Sequence, residues 1–83
     1  MRYYYDTDDN GTLYTAATTA EREEAKEAGL QRISRKAAFA KAKEAEMPIY
    51  TITDRRLICR RCGNETSNAA RYCPACKKPL FQN

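Results

Sequence analysis

Two cysteine pairs close the chain. Cys59 and Cys62 enclose Arg60 and Arg61, ten residues follow, and Cys73 and Cys76 enclose Pro74 and Ala75. A Cys-x-x-Cys turn aims both sulfurs at one point, and two such turns make a tetrahedral four-thiolate site that suits Zn2+. The chain has no histidine to vary the set. With every position filled by protein, no bound water remains for catalysis, so one structural Zn2+ is expected on Cys59, Cys62, Cys73 and Cys76. The segment needs that help. From Arg56 onward its sizeable apolar residues are Leu57, Ile58, Tyr72, Leu80 and Phe81, too few for a core of their own. A structural four-cysteine zinc site contributes on the order of 10–16 kcal/mol, ample to order a short segment.

Residues 58–80 resemble the short four-cysteine zinc ribbons. Cys62-Gly63, Ala70-Arg71-Tyr72-Cys73-Pro74 and Leu80 match that family's pattern, and Lys77 stands where the family usually has glycine. The resemblance covers the C-terminal segment alone. It implies a structural metal but not a role, because such ribbons bind nucleic acid, bind protein or staple a chain. Two disulfides would suit a small secreted chain, yet Met1 to Asp6 offers no apolar signal region. A rubredoxin-like iron site uses the same ligands, but rubredoxins hold their two turns much farther apart. Free thiolates point to a reducing cytoplasm, and no apolar run approaches a membrane span.

Charge divides the chain. Residues 1–28 carry seven acids against Arg2, Arg22 and Lys26, a net of −4; residues 29–83 carry twelve bases against four acids, a net of +8. A zinc ion with four thiolates carries −2 and trims the second figure to about +6. A basic half of this kind attracts phosphate backbones or an acidic protein surface. Lys36, Lys41, Lys43, Arg55, Arg56, Arg60 and Arg61 are the candidate contacts. Arg60, Arg61, Lys77 and Lys78 also suit neutralisation of the anionic metal centre, and the two roles are compatible.

The opening reads as a β-hairpin: Tyr3-Tyr4-Tyr5, an Asn10-Gly11 turn, then Thr12 to Thr15. That turn would place Tyr3, Tyr5, Tyr14 and Ala16 on one face. Residues 6–13 also reproduce the first half of an EF-hand calcium loop. Position twelve, which needs a bidentate glutamate, is Ala17, and no entering helix fits before Asp6. An Asx-stabilised turn is the better reading.

Thr18 or Thr19 can cap a helix whose first turn holds Glu21, Glu23 and Glu24, with Gly29 as its stop and Leu30 and Ile33 as apolar contacts. Ser34 can cap a second helix over 35–45, ended by Pro48. A single helix over 19–46 is the rival, at about 1 kcal/mol for the internal glycine. Ala25 and Gly29 have the spacing of a DNA-reading helix-turn-helix, but the turn lacks its apolar pattern. The basic stripe is better read as a solvated helix face. Residues 49–53 look like a strand, and Asp54-Arg55 turns into Leu57-Ile58 and the first cysteine pair.

The fold expected is small α+β: an N-terminal β-hairpin, two helices, a strand, then a C-terminal four-cysteine zinc ribbon. Residues 1–48 form the body, and 49–83 form the strand and ribbon. Catalysis has no support, since histidine and a glycine-rich phosphate loop are absent and the thiolates are committed to metal. A non-enzymatic binding protein is expected, with no membrane and no small-molecule substrate, docking on nucleic acid or a nucleic-acid-processing complex. The alternative is a small inhibitor or adaptor acting on protein; in size and character the chain resembles phage or mobile-element accessory proteins.

Overall fold

A computed structural model describes residues 1–7 and 11–81. The elements run β1 (Arg2–Asp6), β2 (Thr12–Ala16), α1 (Thr19–Glu27), β3 (Gln31–Ile33), α2 (Arg35–Ala45), β4 (Ile49–Thr51), β5 (Leu57–Ile58) and β6 (Glu65–Thr66). One six-stranded sheet joins them in the order β3-β1-β2-β4-β5-β6. The β2–β4 pair is parallel, and the excursion through α1, β3 and α2 supplies the long crossover that a parallel pair requires. The small α+β architecture is therefore present, with β3, β5 and β6 as strands beyond the hairpin and the single strand expected.

The hairpin register differs from the expected one. Asp6 opposes Thr12, so residues 7–11 connect the strands, and the Gly11 N–H donates to the Asp6 carbonyl at 3.0 Å. A two-residue Asn10-Gly11 turn would have put Asp9 opposite Thr12; Asp8, Asp9 and Asn10 lie outside the described residues, and with them two of the half calcium loop's ligand positions. An odd shift in pairing exchanges the faces of one strand. Tyr3 and Tyr5 thus share a face with Leu13 and Thr15, while Tyr4 shares the other with Tyr14 and Ala16. The sequence held no signal against this. Tyr3, Tyr4 and Tyr5 are aromatic in succession, which suits a strand covered on both sides and leaves no polar alternation to fix register.

Both sides are indeed covered. Tyr3, Leu13 and Ile49 pack with Ala38 and Ala42 of α2, whereas Tyr4, Tyr14 and Ala16 pack with Ala25 of α1. Adjacent strand residues point to opposite faces, so the two helices flank the sheet. The sheet contributes bulk and the helices contribute alanine: Ala38 and Ala42 are 0 % exposed. Those alanines are the core face of α2, spaced i, i+4, and their small size lets the helix sit close over the tyrosines.

Two separate helices form where the capping signals stand. Thr18 accepts from the Glu21 N–H at 3.2 Å, and the Glu21 carboxylate accepts from the Thr18 N–H at 3.3 Å, a reciprocal capping box. Burial pushes the Glu21 carboxyl up, but hydrogen bonds from Ala17, Thr53 and Thr18 outweigh it and hold it below its ordinary value. At the other end Gly29 takes φ +75°, and the Leu30 N–H reaches back to the Ala25 carbonyl at 3.1 Å. That closing motif stops the helix. Ser34 caps α2 through the Ala37 N–H at 3.1 Å. Because β3 stands between α1 and α2, the helix-turn-helix geometry is absent, and Lys36, Lys41 and Lys43 lie on the exposed side of α2.

The sheet continues past residue 48. β4 lies between β2 and β5, and Ile58 of β5 joins Tyr3, Leu13, Ala38 and Ile49 in the α2-side core. The first cysteine thus follows a strand rooted in the body. Among the described residues no helix is long and apolar enough to cross a membrane.

Candidate metal centre

The two cysteine turns are built alike. In the first, the Cys59 N–H donates to the Asn64 carbonyl at 3.0 Å and the Gly63 N–H to the Cys59 carbonyl at 2.9 Å. In the second, the Cys73 N–H donates to the Lys78 carbonyl at 3.0 Å and the Lys77 N–H to the Cys73 carbonyl at 2.7 Å. The β5–β6 ladder flanks the first turn, and a bridge between Tyr72 and Pro79 flanks the second. Gly63 and Lys77 occupy the same place, with φ of 75° and 58°. Lys77 therefore takes the left-handed conformation that glycine takes without cost.

Four sulfurs meet between these turns. Cys59 Sγ is 3.6 Å from Cys76 Sγ, Cys62 Sγ is 3.3 Å from Cys73 Sγ, and all four lie within 4.8 Å of one another. A disulfide would need about 2.05 Å, and the four cysteines are free. Four thiolates at about 2.3 Å from a central ion lie about 3.8 Å apart along a tetrahedron's edges. The observed cluster fits that scale.

The thiols are in electrostatic conflict without a counter-charge. Burial pushes Cys59 up, but the N–H groups of Cys62 and Arg61 and the neighbouring thiols outweigh it, bringing it down to about 6. At Cys62 the Asn64 N–H pulls down, while Cys73, burial and Cys59 push up, and the result is about 12. Burial pushes Cys73 up as well, but the N–H groups of Cys76 and Ala75 and the neighbouring thiols outweigh it and hold it below the ordinary thiol value. A divalent cation relieves that competition by favouring thiolate at all four. Cys59, Cys62, Cys73 and Cys76 are thus positioned to hold one metal ion.

Around the sulfurs, Cys59 and Cys73 are buried with Leu57 and Leu80, and Tyr50 of β4 packs against them. Two arginines complete the fastening. Arg60 donates through Nη1 to the Leu80 carbonyl, and Arg61 donates through Nη1 to the Pro79 carbonyl at 2.9 Å. Arg60 is only 5 % exposed. Its guanidinium ties the C-terminal segment at Leu80 to the first turn, which differs from the surface contact expected of it.

The other candidate contacts divide by location. Lys36, Lys43, Arg60 and Arg61 line one cleft of about 470 Å³ between α2 and the first cysteine turn. Arg35 and Phe39 line it too, and no acid does. Arg35 lies over the Phe39 ring, 5.0 Å from its centroid. Sequence reasoning passes over both as site residues, although Arg35, Phe39 and Lys43 follow the i, i+4 spacing of one helix stripe. Lys41 instead lies 4.6 Å over the Tyr5 ring, Arg56 pairs with Glu65 at 3.2 Å, and Arg55 lines a separate cleft with Asp6 and Glu24.

No family model, curated protein or solved structure matches this chain.

Proposed function

We propose that the chain is a non-enzymatic zinc-ribbon protein that docks on nucleic acid through the cleft between α2 and the first cysteine turn. Zinc is the ion of choice because four thiolates in two tight turns form a closed, tetrahedral set. Such a set calls for a reducing compartment, in keeping with a cytoplasmic protein. The observation that carries the docking reading is the convergence of Arg35, Lys36, Lys43 and Arg61 on one carboxylate-free cleft beside the first cysteine turn. A rigid array of cations suits the evenly spaced charges of a phosphate backbone, and such an array gives affinity without base selectivity.

Lys36 and Lys43 are the residues to reverse, since both are exposed and neither fastens the fold. Changing both to glutamate is expected to weaken binding of unrelated labelled DNA and RNA oligonucleotides alike in fluorescence anisotropy. The slope of log K against log salt should become shallower by roughly one unit for each phosphate no longer neutralised. Unchanged affinity and slope would overturn the reading. If a pull-down instead loses one nuclease-resistant protein partner on this reversal, the ligand is an acidic protein surface, as an inhibitor or adaptor would use.

A further inference from the structure

The cations of the acidic end of the chain are gathered rather than scattered. Arg2, Arg22 and Lys26 are the bases of residues 1–28, and all of them line a cleft of about 430 Å³ together with Arg32. Three elements deliver them. Arg22 and Lys26 stand i, i+4 on α1, Arg2 opens β1, and Arg32 of β3 pairs with Tyr4. Tyr4 packs in the α1-side core, so this cleft lies across the sheet from the one proposed above.

Four like charges brought together repel, and the cleft itself offers few carboxylates against them. Glu23 is the one carboxylate among the lining residues, and none of the four cations has an ion-pair partner among the described residues. Arg22 goes further: its Nε is buried with no hydrogen-bond acceptor. A buried donor left unmet is unfavourable, and more so when it is charged. A phosphate group answers the charge of the cluster and offers several acceptor oxygens to the accessible ends of the arginine forks. Tyr4, Leu30 and the arginine stems add apolar wall. The cleft falls within the range of about 300–1,000 Å³ typical of small-ligand sites.

We propose that this cleft binds an organic phosphate monoester of mononucleotide size, with its phosphate on Arg22, Arg2 and Arg32 and its apolar body against Tyr4 and Leu30. A small-molecule ligand runs against the sequence-based expectation of none. The site is independent of the nucleic-acid reading, since it uses other residues on the other face.

Titration of the full 15N-labelled, metal-loaded chain tests it, with AMP, 4-nitrophenyl phosphate, adenosine and inorganic phosphate as probes. Saturable amide shifts centred on Tyr4, Arg22, Lys26 and Arg32 are expected with at least one of the two monoesters. Adenosine and inorganic phosphate should each bind at least tenfold more weakly. Arg22→Gln and Arg32→Glu should each weaken the monoester at least tenfold, while Lys43→Glu leaves it unchanged. Arg32 is exposed on an edge strand, so its variant carries the test if Arg22→Gln does not fold. Neither monoester saturating, inorganic phosphate binding as tightly as both, or shifts centred on Lys36 and Lys43 would overturn the proposal. So would a short oligonucleotide binding far more tightly through the same residues, which would reassign the cleft to a nucleic-acid strand.

Discussion

Toward β3 the sheet is held by side-chain bulk; toward β6 it is held by sulfur. In the first region Tyr3, Tyr4, Leu13 and Tyr14 fill both faces of the strands, and alanines of two capped helices close over them. In the second, β5 and β6 are two residues each, and the buried set is Leu57, Leu80 and two of the four cysteines. Strands that short cannot hold themselves together in water. One region is built on apolar clusters on both faces of the sheet, and the other gathers around one four-sulfur cluster. They meet at β4 and β5, where Ile49 opposes Ile58. β5 belongs to both cores: its Ile58 lies in the α2-side cluster and its Leu57 in the cysteine-side cluster.

The largest expected effect comes from removing the metal. Chelation should withdraw stabilisation on the order of 10 kcal/mol from the C-terminal region. Hydrogen exchange should then show residues 59–81 losing protection while the α1 and α2 amides keep most of theirs. If helical circular dichroism collapsed together with the cysteine segment, the two regions would be one cooperative unit and the contrast would fail.

A cavity at the seam probes the same contrast from the body side. Ile49 is 0 % exposed and packs among Tyr3, Leu13, Ala38 and Ile58. Ile49→Ala is expected to destabilise the body by about 2–5 kcal/mol in urea unfolding. Metal content of the folded fraction should stay at one ion per chain. Loss of metal at denaturant concentrations where the protein remains folded would mean that the seam, rather than the four sulfurs, organises the cysteine turns.

The smallest effect sharpens the view of the metal region itself. Lys77 holds φ 58° where Gly63 holds φ 75° in the matching turn. Lys77→Gly should stabilise the metal-loaded protein by about 0.5–1 kcal/mol, read as a small rise in Tm. Gly63→Ala should do the reverse; its new Cβ would meet Arg35 at 3.6 Å without a clash, so the penalty would be backbone strain. Equal Tm values across this set would show that turn geometry is dictated by the metal alone.

Local chemistry was legible in the sequence because it is written in neighbouring residues. The cysteine spacing announced a four-sulfur cluster, the Thr18-Thr19 pair and Ser34 announced both helix starts, with Thr18 proving to be the cap, and Gly29 announced the stop between them. Each signal works through hydrogen bonds or ligands a few positions apart, which no distant segment had to supply. What depended on two-sided burial was not legible. Three successive tyrosines carry no alternation, so hairpin register came out only when α1 and α2 covered opposite faces. β3 and β6 are too short to show a pattern and exist because a neighbouring strand offers them hydrogen bonds. Charge followed the same rule. The seven basic candidates were a sequence set, but tertiary packing brought Lys36, Lys43, Arg60 and Arg61 to one cleft, turned Arg60 inward as a strap, and sent Lys41 to Tyr5 and Arg56 to Glu65. Sequence determined which groups could bind a metal or cap a helix, because those needs are met within a turn. Only the tertiary structure decided which charges stand together, because that depends on where each chain segment lies across the sheet.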